Sequence, residues 1–421
     1  MDASRYLQKH RFYPRLLTAP VPENLGMAVV IPCYNEPDLQ PTLEALWRCE
    51  RPRAHVEVLV VVNGAVSAVE TVRERNRATV RQARHWMRKH PDPGLTFHVL
   101  ECPELPDRHA GVGLARKIGM DEAVDRLAQA GREGVLVCFD ADATCAPNYL
   151  VALEDHFARN PHSPACSLRF EHPTDGHAFA PEVYAGIVRY ELFLRYYRQG
   201  LHWAGHPHAF HTIGSSMAVR TNAYCQQGGM NRRKAGEDFY FLQKLIPLGG
   251  FTELNTTCVF PSPRPSDRVP FGTGRAIGQW LQGPQLAYPA YDPQTFVDLR
   301  TGLGLLQGWA DAARQQAEWQ HLPAALSAFL EQQQVEAHLA EIRANSASPD
   351  RFVQRFYRWF NAFLALKFTH YARDVHYPAI GVEDAARGLL RCMDHPAAAE
   401  PQDALGLLKV YRELDGYAVT V

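Results

Sequence analysis

An uncharged run, Gly134-Val135-Leu136-Val137-Cys138-Phe139, ends abruptly in Asp140-Ala141-Asp142. The run is short, β-prone and bounded by Gly134 and Pro147, which predicts a buried strand rather than a helix. Side chains two apart on an extended segment point the same way. Asp140 and Asp142 can therefore offer oxygens to one cation just beyond the strand end. Mg2+ and Mn2+ favour oxygen ligands, and Mg2+ commonly takes one or two carboxylates beside water and substrate phosphate. The bland alternative is a pair of turn or helix-capping aspartates, the commoner meaning of an isolated Asp-X-Asp.

The surrounding pattern constrains the fold. Apolar runs at 27–31, 56–62 and 96–100 read as strands, and helical patterns fall at 38–49, 67–90 and from about 110 to 130. Strands alternating with helices predict an α/β fold with a mostly parallel, Rossmann-like sheet flanked by helices. Ligands of such sheets bind at the carboxyl ends of the strands. The loop Pro32–Glu36, the turn Asn63-Gly64 and the corner Asp140–Asp142 all fall there.

Composition excludes several classes. With 421 residues, 46% hydrophobic and 21% charged, the chain has ample core for one large or two to three ordinary domains. A formal charge of −1 argues against nucleic acid as a partner. No apolar run approaches the ~20 residues of a transmembrane helix, and the start, Met1-Asp2-Ala3-Ser4-Arg5, lacks a secretion signal. Nine cysteines without Cys-X-X-Cys spacing suggest reduced core thiols and a cytoplasmic location.

Four motifs in order carry a resemblance: Pro32-X-Tyr34-Asn35-Glu36, Gly113-X-Ala115-Arg116, Asp140-X-Asp142 and Gly236-Glu237-Asp238-Phe239. In this order they resemble family 2 glycosyltransferases, nucleotide-diphospho-sugar transferases of the glycosyltransferase-A fold, over roughly residues 27–260. The resemblance implies a donor site at Pro32, Tyr34, Asn35, Glu36, Gly113, Arg116, Asp140 and Ala141. It implies Mn2+ or Mg2+ held by Asp142 and Asp140 against the donor diphosphate. It also implies Asp238 as the general base of an inverting displacement, with Glu237 supporting it or orienting the acceptor. Helix capping is the structural alternative for both Glu237 and Asp238. The chain departs from the family where an acidic pair usually follows the second strand. Asn63 stands there, still able to hydrogen-bond a base or ribose.

The remaining segments read less sharply. Gly111 and Gly113 fit either a phosphate cradle at a helix N-terminus or a glycine-rich helix entry. The stretch 200–214, with four histidines, reads as a loop near the acceptor that includes Trp203 as a stacking face, His211 and Gly214; structural zinc is the minor alternative. The segment 261–275 carries three arginines, and is either a cover in which Arg268 or Arg275 neutralises phosphate charge or a Pro-rich linker. Phe352, Phe356, Trp359, Phe360, Phe363 and Leu364 predict one helix with an apolar face, more often core than membrane surface.

The expected organisation is an N-terminal arm at 1–26 and a catalytic domain at 27–260, divided into a nucleotide half (27–145) and an acceptor half (146–260). A loop over the active site at 261–292 and a mainly helical extension at 293–421 follow. The expected activity is metal-dependent, inverting transfer of a sugar from a nucleotide-sugar to a hydroxyl acceptor. A retaining transferase acting on a small acid or lipid headgroup, and a non-catalytic nucleotide-sugar binder, stay open, as do a homodimer and peripheral membrane contact.

Overall fold

β1 (Leu25–Cys33) and β2 (His55–Ala65) are almost wholly buried, as their Val, Leu, Ile and Met content demands of central strands covered on both faces. They belong to the first of two compact units, Met1–Gly176 with Thr212–Ala276. The computed structural model describes residues 2–268, 272–283, 287–400 and 403–416. In chain order the elements are α1 (Ala3–His10), β1, α2 (Gln40–Trp47), β2, α3 (Glu70–Lys89), β3 (Leu95–Leu105), α4 (Val112–Gln129), β4 (Val135–Cys138), β5 (Thr144–Cys145), α5 (Tyr149–Arg159) and β6 (Ala165–Phe170). Then come α6 (Pro181–Trp203), β7 (Met217–Arg220), α7 (Thr221–Gln226), α8 (Glu237–Leu245) and β8 (Thr252–Phe260), of which α6 lies in the second unit.

The eight strands are ordered β3-β2-β1-β4-β7-β6-β8-β5. β3, β2, β1 and β4 run parallel, β7 is antiparallel to both neighbours, and β6 and β8 are parallel again. The α/β sheet expected from the sequence is therefore present. The four parallel strands bring the ends of β1, β2 and β4 side by side. α4 is buried along most of its length and lies hard against the sheet. At Gly119 a Cβ would fall 2.4 Å from Val30 Cγ1 and 2.8 Å from Val61 Cγ2, so only glycine permits this approach.

Two features of this unit were not legible as motifs. Residues 3–10 form a helix rather than a plain arm. Tyr6 of α1 donates to Asp121 of α4 at 2.7 Å, and Arg11 donates to Asp125 at 2.7 Å. In the sheet, Glu57 is fully buried and meets the buried Arg126 of α4 through two hydrogen bonds. The same guanidinium donates to the carbonyls of Ala19 and Pro20, which ties the N-terminal segment to the sheet.

The second unit comprises His177–His211 and Ile277–Val421. The first unit ends inside a helix, α9 (Thr273–Gln282), where the sequence suggested loop. The second unit continues with β9 (Pro289–Ala290), α10 (Gln294–Gly304), α11 (Ala312–Trp319), α12 (Ala324–Gln332), α13 (Val335–Ala344), α14 (Pro349–Trp359), α15 (Ala362–Val375), β10 (Ile380–Gly381), α16 (Val382–Cys392) and α17 (Ala404–Gly416). Its core includes Tyr196, Phe296, Trp309, Phe356 and Phe368. The single helix expected over 352–364 is two. α14 stops at Trp359, and the Asn361 side chain caps α15 by accepting from the amides of Phe363 and Leu364. A side-chain cap of this kind competes with helix continuation, which apolar spacing alone does not reveal. Phe352, Phe356 and Phe360 are buried all the same. Among the described residues no helix is long and apolar enough to cross a membrane.

Removing one member of a buried ion pair strands its partner's charge. Glu57→Ala is expected to lower the unfolding free energy of the first unit by about 3–5 kcal/mol. Urea titration followed by tryptophan fluorescence checks this through Trp47 and Trp86, both in that unit.

Candidate active site

β1 delivers the loop Pro32–Glu36, and β4 delivers the turn at Asp140–Asp142. Asn35 adopts a left-handed backbone (φ 48°), a conformation asparagine tolerates better than most residues. Its amide donates to Asn76 Oδ1 at 2.9 Å, and Asn76 Nδ2 donates to the Asn63 carbonyl at 2.9 Å. One side chain of α3 thus joins the ends of β1 and β2. No sequence motif marked Asn76.

Arg116 of α4 is buried and donates to both Asp140 and Glu237. Burial opposes the Arg116 cation, but Asp140 and Glu237 together carry its pKa above arginine's ordinary value. Gly214 makes room for it, since a Cβ there would lie 2.5 Å from Arg116 Nη1. Gly113 serves the same segment from the other side. Its amide donates to the Arg233 carbonyl at 3.2 Å, and a Cβ would fall 2.4 Å from that oxygen. The two glycines at 111 and 113 thus admit residues 231–237 against the start of α4. This accounts for them without a phosphate.

Glu237 and Asp238 open α8 behind Gly236, which has φ 67°. Burial pushes the Glu237 carboxyl up to about 7 against the pull of Arg116, with Asp238 adding repulsion. The Asp238 carboxyl is also raised, first by burial, and again against Arg116. Asp238 Oδ1 accepts from the Phe239 amide at 2.7 Å.

A second guanidinium layer faces the cleft. Arg264 donates to Glu36 through both terminal nitrogens, at 2.9 and 2.7 Å, and to Asp142 at 3.1 Å. Arg268 donates to the Tyr34 carbonyl at 3.1 Å, to Glu36 at 3.3 Å and to Asp142 at 3.4 Å. Burial and the neighbouring Asp140 raise the Asp142 pKa, while Arg268 and Arg264 hold it back. Tyr34, Asn35, Pro37, Arg264, Ser266, Asp267 and Arg268 line an open cleft of about 540 Å³.

Among the described residues no three His, Cys, Asp or Glu side chains gather as a closed metal cage. Asp140 and Asp142 nonetheless fit an open site. Arg116 takes Oδ1 of Asp140, while Arg264 and Arg268 take Oδ2 of Asp142. Each aspartate keeps its other oxygen, and a hard cation such as Mg2+ or Mn2+ would take such carboxylate oxygens beside water and phosphate.

No protein-family model and no curated protein sequence matches the chain. Solved structures do resemble it. Residues 1–349 of S. aureus TarS in complex with UDP-GlcNAc are 14% identical at a TM-score of 0.41, over 80% of this chain and 92% of that one. The same fragment in complex with UDP gives 14% and 0.39 over the same shares. A longer S. aureus TarS chain gives 15% and 0.38, over 79% of this chain and 55% of that one. At this level of likeness, every residue assignment rests on the geometry of the chain itself.

The structure gathers most of the sequence-selected residues. They fall into three hydrogen-bonded groups: Tyr34, Glu36 and Asp142 around Arg264 and Arg268; Asp140 and Glu237 around Arg116; and Asn35 with Asn63 through Asn76. Pro32, Gly113, Ala141 and Asp238 belong to the same segments, and Gly214 packs against Arg116. Arg275 does not join them and instead donates to Asp267 at 3.1 Å. Arg264, counted among the loop arginines but assigned no role, is the bidentate partner of Glu36. Trp203 and His211 lie in the second unit, where Arg300 sits 4.7 Å over the Trp203 ring and His211 meets Asp415 at 2.8 Å.

The raised Glu237 pKa has a definite sign in stability. Its protonated form is the better accommodated one, so the contribution is present below the ordinary 4.5 and is lost as pH rises through about 7. Glu237→Gln is expected to flatten the fall in melting temperature across that window, measured by differential scanning fluorimetry over a pH series.

Proposed function

We propose that the chain is a glycosyltransferase that moves a sugar from a nucleotide-diphosphate donor to a hydroxyl acceptor, with inversion. The observation that carries this reading is the convergence of four motifs, distant in sequence, at one end of a parallel sheet, joined by Arg116 and Arg264. Catalytic carboxylates, a cation-compatible aspartate pair and an arginine-lined cleft then lie in one unit. The four-motif resemblance to family 2 glycosyltransferases supports the same reading.

In this reading the donor enters the cleft beside Tyr34 and Asn35, with its diphosphate toward Arg264 and Arg268. Those guanidiniums already pair with Glu36 and Asp142, and an incoming diphosphate offers them further acceptor oxygens. Asp140 and Asp142 would hold Mn2+ or Mg2+, which when bound stabilises negative charge on the departing diphosphate. Asp238 takes the proton of the acceptor hydroxyl as that oxygen forms a bond to the anomeric carbon. The bond from that carbon to the diphosphate oxygen breaks on the opposite face. A carboxylate whose pKa is raised toward the working pH suits this role. Glu237, tied to Arg116, fixes the start of α8 and so the position of Asp238.

Three measurements test the proposal. A thermal-shift screen of uridine and guanosine diphosphates and their sugars, with and without Mn2+, should reveal selective, metal-enhanced stabilisation. Asp142→Ala should lose the metal-dependent increment; a retained increment would remove Asp142 from the site. Asp238→Asn should keep donor binding while turnover falls about 10²–10⁴-fold. Full activity in that variant, or product of retained anomeric configuration by NMR, would exclude the base-assisted inversion.

A further inference from the structure

The nine cysteines of the chain are all free thiols, and most are buried in strands or helices of the core. Cys49 and Cys145 differ from the rest in their placement. Cys49 follows α2 and Cys145 ends β5, and their sulfurs are 3.6 Å apart although the residues are 96 positions distant in sequence. The two segments are already docked. Thr42 of α2 donates to the carbonyls of Ala141 and Ala143 at 2.8 and 2.9 Å, and the Glu50 amide donates to the Pro147 carbonyl at 2.8 Å. These bonds bracket the thiol pair on both sides, so the sulfurs are held together rather than meeting by chance. Cys49 is buried, whereas Cys145 is partly open to solvent, which gives a small oxidant a route to the pair.

We propose that Cys49 and Cys145 are a redox-modification site, joined as a disulfide by hydrogen peroxide. One thiol is oxidised to a sulfenic acid as the peroxide O–O bond breaks and one water leaves. The second thiol attacks that sulfur, the S–S bond forms, and the sulfenic oxygen departs as a second water. Two thiols and one hydrogen peroxide thus give one disulfide and two waters. The sulfurs must close from 3.6 Å to the disulfide length of about 2.05 Å, between segments already docked. The link would fasten α2, which follows the Glu36 loop, to the strand that follows Asp142. The site stands on sulfur geometry and is independent of the proposed sugar transfer.

The test treats the full chain with hydrogen peroxide, alkylates the remaining thiols, and maps peptides by mass spectrometry without reduction. The expected result is a Cys49–Cys145 cross-linked peptide, with loss of alkylation at both residues and its return after dithiothreitol. Fragmentation separates Cys145 from Cys138, which share a tryptic peptide. In Cys49→Ser the cross-link should vanish and Cys145 should be trapped by dimedone as the sulfenic acid. Continued alkylation of Cys145 after peroxide, or its appearance in a bond to Cys258 instead, would overturn the proposal.

Discussion

Arg116 is the hinge on which the site's arrangement turns. Asp140 ends the segment after a central strand, and Glu237 opens a helix more than ninety residues later. The Asp140 side chain is 36% exposed, whereas Glu237 is buried and loses its hydration. A buried guanidinium between them pairs with both, though burial still outweighs its pull on Glu237. Space for it exists because residue 214 has no side chain. The positions of the β4 turn and of α8 are therefore coupled through one cation.

A second, outer arrangement repeats the chemistry with a different physical character. Arg264 and Arg268 hold Glu36 and Asp142, but their side chains remain 25% and 30% exposed, against 2% for Arg116. Ion pairs open to water are weak and exchange partners readily. The inner pairing thus maintains shape, while the outer pairing can open toward an anionic ligand. In the proposed reaction this difference lets the arginines turn to a diphosphate without dismantling the carboxylate frame.

The glycines of the site illustrate how the same residue can be read two ways. A Gly-X-Gly segment before a helix suggests phosphate binding through free amides. Here the Gly113 amide is engaged by Arg233, and the missing side chains admit a neighbouring backbone. Close backbone approach and anion binding leave the same mark in sequence, and only neighbours distant along the chain distinguish them. The cysteines behave alike: nine scattered residues suggest inert core thiols, yet folding sets two of them in contact.

The sequence by itself determined the α/β class, the parallel strands, the loop after β1 and the acidic turn after β4. Those features follow from local alternation and from residues adjacent along the chain. The tertiary structure alone decided which arginines meet which carboxylates. It also broke the helix at Phe360 through the Asn361 cap, assigned α6 to the second unit, and paired Arg275 with Asp267 rather than with Glu36 or Asp142. Asn76 and Arg126 had no motif to announce them, because their partners lie 13 to 107 residues away in the chain, and Gly214, read as part of an acceptor loop, instead makes room for Arg116. Periodicity records what a residue's immediate neighbours require, whereas a charge's partner is chosen by the packing of the whole sheet.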